Sequence, residues 1–187
     1  MANVDRPNGF RPVRHANGSP YNGACERMIA QENLFLGDLV EPVTTGIAIG
    51  DGGYQEVGRA ETGDPIVGVV VGWDPNPADL GALYHASSAT RFVYIARCDD
   101  LILEAQNDGA MTHEHVGFNA DFVVAAGSTV TGLSNMEVNS ATEATTATLD
   151  LRIVGFVDRP GNETTAANAK MLVRVNRSWL ANQVAGV

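Results

Sequence analysis

Thr148-Leu149-Asp150-Leu151-Arg152-Ile153-Val154-Gly155-Phe156-Val157 alternates along its length, placing Leu149, Leu151, Ile153, Gly155 and Val157 on one face. Lys170-Met171-Leu172-Val173-Arg174-Val175-Asn176 repeats the pattern, with Met171, Val173 and Val175 on one face and Leu172, Arg174 and Asn176 on the other. Side chains of a strand point alternately to its two sides, so this period of two predicts two half-buried strands. The polar stretch between them, opening with Arg159-Pro160-Gly161-Asn162, makes them an antiparallel hairpin.

Working towards the N-terminus, the same signal recurs in short pieces. Residues 91–97 alternate Phe92 and Tyr94 against Val93 and Ile95, and Asp99-Asp100 turns the chain before residues 101–105. Ile66-Val67-Gly68-Val69-Val70-Val71 is the most apolar run; its length and β-branching fit a buried strand, closed by the rigid turn Trp73-Asp74-Pro75-Asn76-Pro77. Gly50-Asp51-Gly52-Gly53 predicts a hairpin tip within residues 46–58. Gly37-Asp38 supplies a turn, and Leu39-Val40 starts a strand that Pro42 confines to an edge or an end. Residues 24–31 alternate loosely. Residues 118–126 form a short apolar stretch, and residues 131–146 read as loop or edge strand. No long amphipathic helix is visible; helical turns are expected only near Asn33 and Asn119. The fold class is mainly β, an antiparallel β-barrel or sandwich with an extended N-terminal arm.

The arm is residues 1–24 and the β-rich body residues 25–187. Pro7, Pro12 and Pro20 withhold the N–H a ladder needs, and Gly9, Gly18 and Gly23 add backbone entropy, so regular structure is not expected there. Phe10, Val13 and Tyr21 are interspersed with Arg11 and Arg14, as in a segment that docks on another surface; a frayed terminus is the plainer alternative. On the docking reading the body folds without residues 2–21.

The 187 residues carry 12 basic and 22 acidic side chains, a net charge of −10. The charge divides unevenly: +2 over residues 1–24, from Asp5 against Arg6, Arg11 and Arg14, and −12 over the remainder. Such an acidic chain makes a poor wrap for nucleic acid, and no apolar run approaches the roughly 20 residues of a membrane helix. No apolar core of a secretory signal follows Met1, so the Asn-x-Ser/Thr triplets at Asn17, Asn162 and Asn176 read as accidental. Eleven of the 12 basic residues are arginine, which suits interfacial pairing, although codon usage produces the same bias.

Motifs for chemistry are sparse. Cys25 and Cys98 are too few for a disulfide framework and read as two reduced, mostly buried thiols. Thr112-His113-Glu114-His115, if extended, would point both imidazoles to one face, where they could chelate zinc or copper; a third ligand is not apparent. Asp99, Asp100, Glu104 and Asp108 could pair for acid/base work or calcium, without the EF-hand spacing. No nucleophile elbow, P-loop or complete dinucleotide motif is present. Catalytic and metal residues are therefore none, and no cofactor is expected. Trp73 and Trp179 are candidate contact anchors, or core residues in the plainer alternative.

Taken together, Arg6-Pro7-Asn8-Gly9-Phe10-Arg11-Pro12-Val13-Arg14-His15, Asn17-Gly18-Ser19-Pro20, Gly37-Asp38-Leu39-Val40, Ile66-Val67-Gly68-Val69, Val116-Gly117-Phe118-Asn119-Ala120-Asp121-Phe122, Gly127-Ser128-Thr129-Val130-Thr131-Gly132, the run from Leu151 to Pro160 and Asn168-Ala169-Lys170 resemble, in order, the capsid decoration (cement) proteins of tailed bacteriophages. The resemblance implies a β-rich structural virion protein, not an enzyme, that binds the major capsid protein on the outer surface of the head. It implies a homotrimer clamping adjacent capsomers, without nucleic acid or membrane. Carried onto this chain, it makes Phe10, Arg11, Val13, Arg14, Tyr21, Trp73 and Trp179 the expected capsid or subunit contacts. A head-vertex or tail component, and more remotely a metal-dependent hydrolase using His113 and His115, are the alternatives.

Overall fold

The computed structural model describes residues 3–43, 46–49, 52–87, 90–181 and 183–186. The hairpin of the C-terminal third is present as β13 (Leu151–Phe156) and β14 (Lys170–Val175), antiparallel, with Ile153 opposite Val173. Leu151, Ile153, Met171, Val173 and Val175 are buried, as the alternation requires. This hairpin lies within a five-stranded sheet that also contains β1 (Arg11–His15), β9 (Leu101–Gln106) and β10 (Asn119–Ala120), in the order β1-β9-β14-β13-β10.

A second five-stranded sheet comprises β2 (Glu26–Ala30), β3 (Leu39–Pro42), β6 (Val57–Arg59), β7 (Gly68–Trp73) and β8 (Arg91–Arg97), in the order β2-β8-β7-β3-β6. It curls until its ends meet: the Ile29 N–H donates to the Gln55 carbonyl at 3.0 Å, and Ile29 bridges Glu56 in parallel. The result is a small barrel enclosing Met28, Val40, Val57, Val70, Val93 and Ile95. Its opposite face, including Leu39, Val69 and Ala96, packs on Leu103, Ile153 and Val173 of the open sheet to form the larger core. The chain is thus a barrel laid against an open sheet, and both forms expected from the sequence are present.

Two small ribbons complete the fold. β4 (Ile47–Ile49) pairs with β5 (Gly52–Tyr54), while the hairpin tip at residues 50 and 51 lies outside the described residues. β11 (Phe122–Val123) pairs with β12 (Glu137–Val138). The expected helical turns do not form at Asn33 or Asn119. Asn119 is a strand residue paired with Arg152, and among the described residues the one helical turn is a 3₁₀ turn at His113–His115.

The largest departure from expectation is at the N-terminus. Residues 11–15 form a regular edge strand in spite of Pro12, because an edge strand has one side free of ladder bonds and a bulge lies between Pro12 and Arg14. Its outer edge is covered by its own return, with the Tyr21 N–H bonded to the Val13 carbonyl at 3.1 Å and the His15 N–H to the Ser19 carbonyl at 2.8 Å. Ahead of it, Phe10 is 1% exposed and meets Phe122 edge to face, ring centroids 6.4 Å apart. Gly9 and Gly37 make that entry possible. Both have positive φ, and a Cβ on Gly9 would stand 2.5 Å from the Gly37 carbonyl oxygen. Residues 3–24 therefore lie on the body and contribute to its core, and a boundary at residue 24 does not divide that core.

Candidate interaction surface

The seven residues expected at contacts fall in four different surroundings. Phe10 is a core residue of its own chain. Trp73 ends β7 and packs partly buried against the barrel cluster, the plainer of its two readings. Arg11, Val13 and Arg14 reach the surface from β1, Val13 being 40% exposed. Tyr21 and Trp179 are brought to one neighbourhood, although they lie far apart in sequence.

That neighbourhood is an open groove of about 490 Å³ where three parts of the chain converge. His15, Tyr21 and Cys25 come from the N-terminal segment, Arg97 from the end of β8, Asp100 and Leu101 from the turn into β9, and Leu180 from the C-terminal segment. The Trp179 N–H donates to the Ile66 carbonyl at 2.9 Å, which ties the C-terminal segment to the chain just ahead of β7. Arg97 then stacks over the Trp179 ring at 5.3 Å and bonds Glu26 and Asp99 at 3.0 and 3.1 Å. His15 bonds Asp100 at 3.0 Å. The groove thus has an apolar floor and a rim of paired charges, with Trp179 39% and Leu180 65% exposed beside it. Burial, with the neighbouring thiols adding to it, raises the Tyr21 hydroxyl above its ordinary value, so it stays a neutral donor to the Ala24 carbonyl at 2.8 Å.

Leu180, Arg97 and a second group of exposed apolar residues escaped the sequence reading. Leu80, Leu83 and Val130 are 82%, 50% and 81% exposed. They sit on two loops held together where Gly132 runs against the Leu83 backbone. The available signal was a large apolar side chain inside a Gly/Asp/Ser-rich loop, which a core also produces.

The candidates for chemistry do not assemble. His113 and His115 lie on the 3₁₀ turn and not on a strand, so they diverge. His113 bonds the Thr164 hydroxyl at 3.0 Å and packs on Phe156, while His115 faces Glu143 at 3.9 Å and Phe118. Asp99 is held by Arg97 and Ser178, Asp100 by His15, Glu104 by Arg159, and Asp108 accepts from the Ser140 N–H. Among the described residues no three His, Cys, Asp or Glu side chains converge as a metal site would require. Both cysteines are free: Cys98 is buried and burial pushes its thiol far up, whereas Cys25 is exposed, contrary to the expectation of two buried thiols. Among the described residues no helix is long and apolar enough to cross a membrane.

Comparisons with protein-family models, with curated proteins and with solved structures returned no match.

Proposed function

We propose that this protein is a structural component of a tailed-phage virion, a decoration protein that binds the major capsid protein on the outer surface of the head and clamps adjacent capsomers as a trimer. The observation that carries the reading is the open groove where the segment around Tyr21, the turn into β9 and Leu180 converge, with Trp179 exposed next to Leu180. Exposed aromatic and leucine side chains next to a concave apolar floor are what a protein partner buries, and tryptophan and tyrosine dominate contact energetics. The ordered resemblance across the sequence supports the same reading. The net charge of −10 suits an exterior position, where it keeps particles apart.

Each contact is weak alone; three copies on one symmetric assembly convert later contacts into intramolecular ones, raising avidity by about 10²–10⁴. Imaging of virions carrying this chain provides the test. Many copies over the outer head surface fit the proposal, copies confined to a vertex or tail move the protein to those structures, and a particle without it overturns a virion role. Replacing Trp179 and Leu180 together by Ala and Asp is expected to lower co-sedimentation with heads by about tenfold or more.

A further inference from the structure

The outer face of the open sheet has a charge opposite to that of the chain. Residues directly opposite on antiparallel strands point to the same side, and the register places Arg14, Ile102, Arg174 and Arg152 in one row across β1, β9, β14 and β13. The next row holds Arg11, Glu104 and Leu172, and Lys170 follows beside Gln106. From the β13–β14 loop, Arg159 reaches over to Glu104, making two hydrogen bonds at 2.9 and 3.2 Å. Burial, with Arg159 and Arg11 close by, holds the Lys170 ammonium below its ordinary value against the pull of Glu104 and Glu137.

These positions hold six of the 12 cationic side chains of the chain and one of its 22 carboxylates, a balance of +5 that leaves −15 on the rest. Among the described residues, Asp5 and Glu137 stand near Lys170, and Asp99 and Asp100 near Arg174 and His15. Like charges directly across a ladder are destabilising, yet Arg152 stands opposite Arg174 with no carboxylate partner for either among the described residues. Arg174 donates to the Asp99 carbonyl, and Arg152 to Asn119 and to the Val184 and Ala185 carbonyls. These bonds fix the guanidinium groups in place, and Asp99, which lines the same recess, is the acidic residue beside them.

The complement is on the barrel. Glu41 on β3 lies opposite Gly58 on β6, and a Cβ on Gly58 would stand 2.7 Å from Glu32 Oε1, so the two glutamates share one small patch. The Glu61–Asp64 turn joins them, closed by the Glu61 N–H on Asp64 Oδ2 at 2.9 Å. Burial and the adjacent Asp64, Glu32 and Glu61 carboxylates raise Glu41 above its ordinary value. Arg59 is the neighbouring cation, bonded to Glu32 through its backbone N–H.

We infer that the arginine rows of one copy seat the Glu32–Glu41–Glu61–Asp64 cluster of a second copy, in a head-to-tail contact between identical chains. A second copy fits better than nucleic acid. A chain of net −10 repels a polyanion at long range, and the arginines stand beside the half-buried Leu172, the arginine-rich, lysine-poor mixture of protein contacts. The two surfaces lie on different sheets, so the contact is heterologous and either closes into a ring or runs on. This names the surfaces behind the self-association in the proposed function, and it is testable on the purified chain without any capsid.

Sedimentation of the full chain at about 50 mM and about 500 mM salt is the experiment. At low salt the expected mass is a small multiple of 19.7 kDa, and high salt weakens assembly by at least about tenfold. Two variants, Arg152→Glu with Arg174→Glu and Glu41→Lys with Asp64→Lys, are each expected to be monomeric, and Arg152→Gln with Arg174→Gln covers the case in which reversal disturbs the sheet. Mixed in equal amounts, the two reversed proteins should assemble again, because each retains the surface the other has lost and the two reversed surfaces are themselves opposite in charge. A wild-type monomer at low salt, assembly unchanged by the reversals, a mixture that stays monomeric, or capture of duplex DNA by the arginine face in place of a second copy overturns the inference. If capsid binding persists in such a case, the virion role stands and only this contact falls.

Discussion

The two five-stranded sheets reach stability in opposite ways. The barrel closes on itself and fills its interior mostly from its own strands, with Met28, Val40, Val57, Val70, Val93 and Ile95, and with Leu34 and Val67 from the adjoining segments. The open sheet leaves an edge at β1 and shares a core with the barrel's outer face, and that core draws large side chains from outside both sheets, Phe10, Met111 and Met136 from irregular segments and Phe122 from the small β11–β12 ribbon. A closed ladder is specified by neighbouring strands. An open one depends on distant pieces of chain arriving, here the first ten residues. The comparison predicts that the molecule is most sensitive where the N-terminal segment enters.

Phe10→Ala should therefore be the most damaging single change, costing about 3–5 kcal/mol by removing an aromatic side chain from a core without room to collapse. Ile95→Val in the barrel should cost about 0.5–1.5 kcal/mol. Urea unfolding of both variants checks the contrast, and comparable losses would abolish it. By the same reasoning, a chain lacking residues 2–21 should fail to fold, whereas a free arm would have been dispensable. Gly9→Ala tests the joint itself. Its positive φ and the nearby Gly37 carbonyl predict a loss of about 1–3 kcal/mol, read by the same titration.

Acidity provides a milder probe of both halves. Burial pushes Asp38 up to about 6, against the opposing Ser134 hydroxyl and Phe35 N–H. Burial, then the nearby Asp5 and Asp108, pushes Glu137 to about 7. Both groups bind protons more tightly folded than unfolded, so their ionisation opposes folding and stability rises as pH falls from about 7.5 to 5. His85 acts in the other direction. Burial lowers its pKa, so its contribution is lost as pH falls below the ordinary histidine value. Asp38→Asn should therefore remove about 1–2 kcal/mol of the rise between those two pH values, measured as the difference between wild-type and variant unfolding curves. Identical pH profiles would show that Asp38 does not titrate in this range. Trp179→Ala should have the smallest effect on folding, about 0.5–1 kcal/mol through its contact with Arg97, while its effect on partner binding is larger. Thermal melts set against co-sedimentation separate the two.

Most strand positions were legible, because alternation survives in any sheet with one dry face. Residues 91–97 form β8 with the expected bounds, and the C-terminal hairpin pairs as its polar loop required. β1 was hidden by Pro12 and by a bulge that breaks the period of two, both tolerable on an edge. Whether the histidine pair lies on a strand was open in the sequence, because Thr112–His115 carries too few apolar residues to distinguish a strand from a 3₁₀ turn. Of the seven expected contact residues, Tyr21 lines the groove and Trp179 stands at its rim against Arg97. Phe10 could not be told from a surface anchor, since an aromatic side chain flanked by glycine and arginine looks the same in either place.

The sequence by itself determined a mainly β chain, its hairpin, its main apolar strands and its acidic total, all of which follow from local period and composition. The tertiary structure alone decided that one sheet closes into a barrel and that the N-terminal segment is sheet and core. It also decided that six basic side chains share one face of an acidic molecule. Register does this, by placing residues 14, 102, 174 and 152 side by side, and pairing between strands so far apart leaves no mark on any one of them.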